Sequence, residues 1–130
     1  MMVGGCGVSI TPNYDEIKIN IDKGGGYIIA GDSDSYNPIS VPFKIIGWAV
    51  AGDNNGSISV DVRRAYQTIP TGGDSIVGSS GPSLSTSSYN SSYDVSDWDT
   101  TVIAGDIIGI SVDSVAGLKY VVITLKIVRC

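Results

Sequence analysis

The clearest pattern in the chain lies in residues 41–67, VPFKIIGWAVAGDNNGSISVDVRRAYQ. An apolar run through Trp48 meets the polar stretch Asp53-Asn54-Asn55-Gly56. A strict alternation follows, with Ile58, Val60 and Val62 on one face and Ser59, Asp61 and Arg63 on the other. Period two is the signature of a half-buried strand, and Asn-Gly between two such runs predicts a β-hairpin. The first arm, with Phe43, Ile45, Ile46, Trp48, Ala49 and Val50, is apolar on both faces and is expected at the centre of a sheet. Residues 16–22 alternate Ile17, Ile19 and Ile21 against Lys18 and Asn20, predicting another half-buried strand that ends at Gly24-Gly25-Gly26. A short strand is expected over 27–30. Near the end, Ile108, Ile110 and Val112 share one face, and after 114–117 a last strand over 118–128 points Ile123, Leu125 and Ile127 inward and Thr124 and Lys126 outward. These two are expected to form a closing hairpin.

Between these segments, residues 67–97 read as the least regular part of the chain, with Ile69, Ile76, Val77, Leu84, Tyr89 and Tyr93 among the few residues that break the polarity. An excursion this long is more often a contacting surface than a bare connection. Its Tyr, Ser, Asn and Gly content is that of adaptable binding loops, and a solvated β-sandwich connection is an equal reading. Residues 1–13 are Gly-rich and read as an extended arm, leaving 14–130 as one β-sandwich domain. No segment keeps a helical period beyond a turn or two, so the fold class expected is all-β, an antiparallel β-sandwich, jelly-roll-like.

Composition narrows the function. The 130 residues suffice for one core that buries roughly two thirds of the unfolded surface. A net charge of −5, with eight scattered basic residues, argues against nucleic acid and against an anionic membrane. No signal-peptide pattern and no run of about 18 apolar residues is present, so synthesis in a cytoplasm is expected. On that ground two unpaired thiols at Cys6 and Cys130 are favoured over a bridge that would close nearly the whole chain.

Candidate chemistry is thin. The absence of histidine removes triad hydrolases and most zinc enzymes. Asp94, Asp97 and Asp99 beside Trp98 offer paired carboxylates of glycosidase type, but no apolar setting that would raise a pKa; turn formation and solubility explain the aspartates better, and a cap on the core explains Trp98 better. Asp32, Asp34 and Asn37 offer oxygens to calcium without the glycine and glutamate of an EF-hand, and serve a turn equally well. The three glycines 24–26 lack dinucleotide and phosphate-loop spacing and read as a turn. No enzymatic activity, cofactor or metal is expected.

Taken together, Ile45-Ile46-Gly47-Trp48, the run from Gly56 through Val62, the variable loop with Ile76 and Pro82, Trp98, Ile103-Ala104-Gly105-Asp106 and the ending from Val121 to Val128 resemble a small β-sandwich module of tailed-phage virion proteins. The likeness covers residues 17–128. Fibre chains carry such a module at the end of a stalk, whereas here only a short arm precedes it. The resemblance therefore implies a capsid decoration or cement protein in the virion, a homo-oligomer with a trimer favoured, bound to the major capsid protein or another virion protein. Under it the arm residues Met2, Val3, Cys6, Val8 and Ile10 are expected partner contacts. The alternative is a receptor- or carbohydrate-binding module of a tail or head fibre, in which Tyr36, Tyr66, Tyr89, Tyr93 and Trp98 stack on a glycan; under the first reading the same five contact protein.

Overall fold

The computed structural model describes residues 13–31, 35–78 and 80–129. The arm positions Met2, Val3, Cys6, Val8 and Ile10, both cysteines, and Asp32 and Asp34 lie outside the described residues. Among those described there are seven strands, no α-helix and one short 3-10 turn. The strands are β1 (Asn13–Asp22), β2 (Tyr36–Pro38), β3 (Phe43–Tyr66), β4 (Ser83–Ser92), β5 (Thr101–Val102), β6 (Asp106–Ala116) and β7 (Tyr120–Arg129). The 3-10 turn spans Gly72–Asp74.

Both expected hairpins are absent, for one reason. Residues 43–66 form a single strand that passes through Asp53-Asn54-Asn55-Gly56 without reversing. β7 pairs antiparallel with its first part, from Phe43↔Arg129 to Gly52↔Val121. β6 pairs antiparallel with its second part, from Ser57↔Ala116 to Tyr66↔Asp106. From residue 52 to 57 on β3, and from 121 back to 116 on the other side, the chain advances by the same five positions. β6 and β7 thus run end to end along one edge of β3, and the two glycine-containing stretches face each other across a bend in one long ladder.

The bend has identifiable causes. Leu118, fully buried, lies inside it. A Cβ on Gly56 would come 2.6 Å from Leu118 Cγ and 2.7 Å from the Ala116 carbonyl oxygen; one on Gly52 would come 2.8 Å from Leu118 Cδ2. Gly117 has φ +77, open to glycine at no steric cost. Outside the bend, Asp53 Oδ1 accepts from the backbone N–H of Lys119 (3.0 Å) and Tyr120 (3.2 Å). These two donors hold the Asp53 carboxyl below its ordinary pKa, because they stabilise only the charged form. On the other edge of β3, β4 takes the short way round: Ala51 pairs with Tyr89 and Gly56 with Ser87, so a single residue of β4 spans what takes four on β3.

Two bulges keep the core continuous. Ile45 pairs with Ile127 and Gly47 with Lys126, leaving Ile46 as an extra residue on β3. The parity change lets Ile45 and Trp48 both face inward, although they are an odd number apart. Ser59 pairs with Ser114 and Val60 with Val112, so Asp113 is extra on β6 and Val112 and Val115 both reach the core. Curling at the bend brings the two parts of the sheet together as a sandwich. Ile45, Trp48 and Val50 with Ile123, Leu125 and Ile127 from one side join Ile58, Val60 and Val62 with Ile108, Ile110 and Val112 from the other in one cluster. The inward positions expected for β6, β7 and the second part of β3 are all buried, and on the opposite face Asp61 and Ser111 are covered as well.

Three further expectations are corrected. Residues 83–92, assigned to an irregular excursion, form β4; with only Leu84 buried, this strand lies on a polar, largely exposed edge and lacks an apolar alternation. Residues 27–30 join no ladder, although Ile28 is buried and its N–H donates to the Leu118 carbonyl at 2.8 Å. Residues 36–38, read as a polar connection, form β2 against β6.

Replacement of Gly56 by Ala is expected to destabilise the fold by about 1–3 kcal/mol, because Leu118 and the Ala116 carbonyl leave no room for a methyl group. Gly73→Ala, where a Cβ meets nothing within 4 Å, should shift stability by less than about 1 kcal/mol. Urea unfolding of the two variants gives the comparison; equal effects would contradict the packing assigned to the bend.

Candidate functional site

The tyrosines named by the sequence are exposed, and three of the four stand on glycine. The Tyr93 ring covers Gly47, where a Cβ would meet its Cδ1 at 2.8 Å. Tyr36 lies over Gly109, its cross-strand partner, beside Pro70. Tyr66 lies over Gly105. A ring laid on a glycine replaces the missing side-chain packing of that position and fixes the ring's direction. Tyr89 sits on β4 opposite Ala51.

These rings do not converge. Tyr36 and Tyr66 belong to the part of the sheet built on β6, whereas Tyr89 and Tyr93 belong to the part built on β7. Trp98 is no surface ring: it is 7% exposed, and its Nε1 donates to the Ser80 carbonyl at 3.0 Å. Its place as a stacking platform is therefore corrected. It closes the core beneath the loop that follows Tyr93, as its indole N–H finds a backbone acceptor there.

What the structure does assemble is an open groove of about 830 Å³ on the outside of β1, β3 and β7, lined by Tyr14, Asp15, Glu16, Ile46, Tyr93, Lys126 and Ile127. Lys126 Nζ sits 4.4 Å from the centre of the Tyr93 ring and 3.3 Å from its hydroxyl, a cation–π contact on top of a hydrogen bond. Glu16 stands directly opposite Lys126 in the β1–β7 register. Asp15 accepts from Arg129 Nε at 2.8 Å. Its carboxyl is held below the ordinary value by the Glu16 N–H first and the Arg129 guanidinium second. Tyr14 is 68% exposed, as is Tyr93. Sequence reasoning found only Tyr93 of this set. The signal for the others was the period of two in 16–22: extended back to Tyr14, it puts residues 14, 16 and 18 on the outward face.

The acidic cluster beside Trp98 is structural in its contacts. Arg64 Nη2 donates to Asp99 Oδ2 at 2.6 Å, Arg64 Nη1 donates to the Thr101 carbonyl, and Arg64 Nε lies 3.7 Å from Asp106 Oδ2. Arg64 thereby ties β3 to the 99–106 loop. The guanidinium lowers the Asp99 pKa, and the Ser96 hydroxyl and N–H lower that of Asp94. A general acid needs the opposite shift. A second tie holds the loop before β4, where Asp61, 9% exposed, accepts from Arg63 Nε at 2.9 Å and from the Ser75 hydroxyl. Asn37 lies within β2. Among the described residues no group of three or more acidic or cysteine side chains is placed to hold a metal ion.

No protein-family model matches the chain, and no curated protein matches it. A chain of the capsid asymmetric unit of cyanophage Pam1 is similar in structure, with a TM-score of 0.40 and 14% identity over 98% of this chain and 93% of that one. A likeness of that size leaves the function to be argued from the chain's own residues.

Truncating Trp98 to Ala is expected to cost about 3–5 kcal/mol, as for a buried aromatic. Tyr89→Ala, at an exposed position, should stay within about 0.5 kcal/mol. Chemical denaturation measures both, and a near-neutral Trp98→Ala would contradict its place in the core.

Proposed function

We propose that this chain is a virion structural protein of a tailed bacteriophage, a capsid decoration or cement subunit. It binds the major capsid protein as a homo-oligomer, a trimer by the resemblance, and stabilises the shell without catalysis, cofactor or nucleic acid. The observation that carries this reading is the spread of its exposed tyrosines over both parts of the sheet, with the rings on Gly47, Gly105 and Gly109 held in fixed directions. Rigid, separated aromatic anchors on an otherwise polar surface suit a broad protein footprint, where area is gathered from several places. Of the segments that carry the phage resemblance, those at 45–48, 56–62 and 121–128 lie in β3 and β7, the long ladder that makes the fold, while Ile76, Pro82, Trp98 and residues 103–106 lie outside these two strands. The arm residues expected to contact a partner, Met2 to Ile10, come just before β1 along the chain, and β1 pairs with β7 alone among the described strands.

The second reading, a receptor- or carbohydrate-binding module of a fibre, is favoured by one observation: Tyr14 and Tyr93 share a groove with Glu16 and Lys126, a ring-and-hydrogen-bonder combination that suits a sugar. Deleting residues 2–9 separates the two. On the decoration reading the truncated protein keeps its circular dichroism and melting temperature but no longer co-sediments with capsids of the source phage or raises their heat resistance. Unchanged capsid binding, or an unfolded truncation, would overturn the role given to the arm; binding to host surface glycan in place of capsids would establish the second reading.

A further inference from the structure

We infer that β1 is a self-complementary edge through which two copies of this chain join antiparallel about a twofold axis at Ile17, extending the sheet from β7 and β1 of one copy into β1 and β7 of the next. This contact stands apart from the proposed function and does not depend on the arm. β1 pairs with β7 over ten residues without a shift, and no other strand among the described residues pairs with it. Its free edge presents the backbone groups of the even-numbered positions: the Glu16 N–H is taken by the Asp15 carboxylate at 2.8 Å, and the Asn20 carbonyl accepts from the Ser35 hydroxyl at 3.4 Å. Side chains thus stand in for strand partners along an edge with the length and regularity of a ladder.

The choice of partner follows from the charges. Proteins guard such edges with charged residues, because an unpaired row of donors and acceptors attracts any strand. Here the guards are of both signs, and Glu16 and Lys18 flank Ile17 symmetrically. In an antiparallel pair centred on Ile17, Glu16 of each copy faces Lys18 of the other, twice, while Tyr14 faces Asn20. An unrelated strand meets unmatched charge; a second copy meets its complement. The inner face is matched as well. Ile17 is only partly covered and borders an open slot of about 280 Å³ with Pro38, Ile39, Val41 and Phe43, in which Val41 is 47% exposed. The twofold places Ile17 of the second copy directly opposite Ile17 of the first, at the mouth of that slot in both copies.

The test is a charge exchange on the full chain, read as assembly mass by sedimentation equilibrium, with circular dichroism melts to establish folding. Lys18→Glu sets glutamate against glutamate and is expected to halve the mass of the assembly, whatever other contacts it makes. Glu16→Lys is expected to do the same, and the double variant Glu16→Lys with Lys18→Glu to restore the full mass. Within one copy Lys18 faces Thr124 while Glu16 faces Lys126, so Lys18→Glu decides the matter even if Glu16→Lys fails to fold. A folded Lys18→Glu variant with the wild-type mass would overturn the contact, and so would a folded double variant that stays at half mass.

Discussion

The structure depends on one ladder that stays in step through a bend. β3 is paired along one edge from Phe43 to Tyr66, first with β7 and then with β6, and the count of residues across the bend is equal on both sides. Equal advance means that no side chain changes face on passing the corner except where a bulge dictates it. One strand can therefore supply inward residues to both parts of the sheet. A chain rich in Val and Ile needs only this to enclose a core, since each part of the curled sheet covers the other. Leu118 is the pivot. Its side chain fills the space that glycine at 52 and 56 leaves open, and Asp53 secures the outside of the same bend with two backbone hydrogen bonds.

Everything that faces solvent is then placed by how it attaches to that ladder. Arg64 and the Asp61–Arg63 pair rise from the second part of β3 and fasten two loops, the first through Asp99 and Asp106 and the second through Ser75. The exposed rings sit where a strand or turn glycine gives them a seat, which spreads them around the molecule. The groove at Tyr14, Tyr93 and Lys126 and the edge of β1 that no described strand pairs with lie on the part of the sheet built on β7. A protein built this way offers surfaces and edges to partners, and the acidic side chains with lowered pKa values serve to hold turns and ion pairs.

Much of this was legible in the sequence. The all-β class and the inward positions of β6, β7 and the second part of β3 follow from period two alone. The connectivity did not, because Asp-Asn-Asn-Gly is the local signal for a hairpin and for a bend alike. What decides between them is the partner on the far edge, and no local window contains it. β4 was hidden for a related reason: a strand whose two faces are both polar has no hydrophobic alternation to read. Trp98 illustrates the limit for sites: the sequence offers it both as a cap on the core and as a stacking ring, and Ser80, 18 positions earlier, supplies the acceptor that decides for the core.

The most direct test of this account is the set of interstrand nuclear Overhauser effects between backbone protons in solution. A ladder that runs through the bend predicts contacts between Val50 and Ile123 on one side of it and between Val60 and Val112 on the other. Contacts linking Val50 to Ser59 and Trp48 to Asp61 would mean that the chain reverses at Asp53-Asn54-Asn55-Gly56, and would contradict the continuous strand on which the fold, the groove and the open edge all rest.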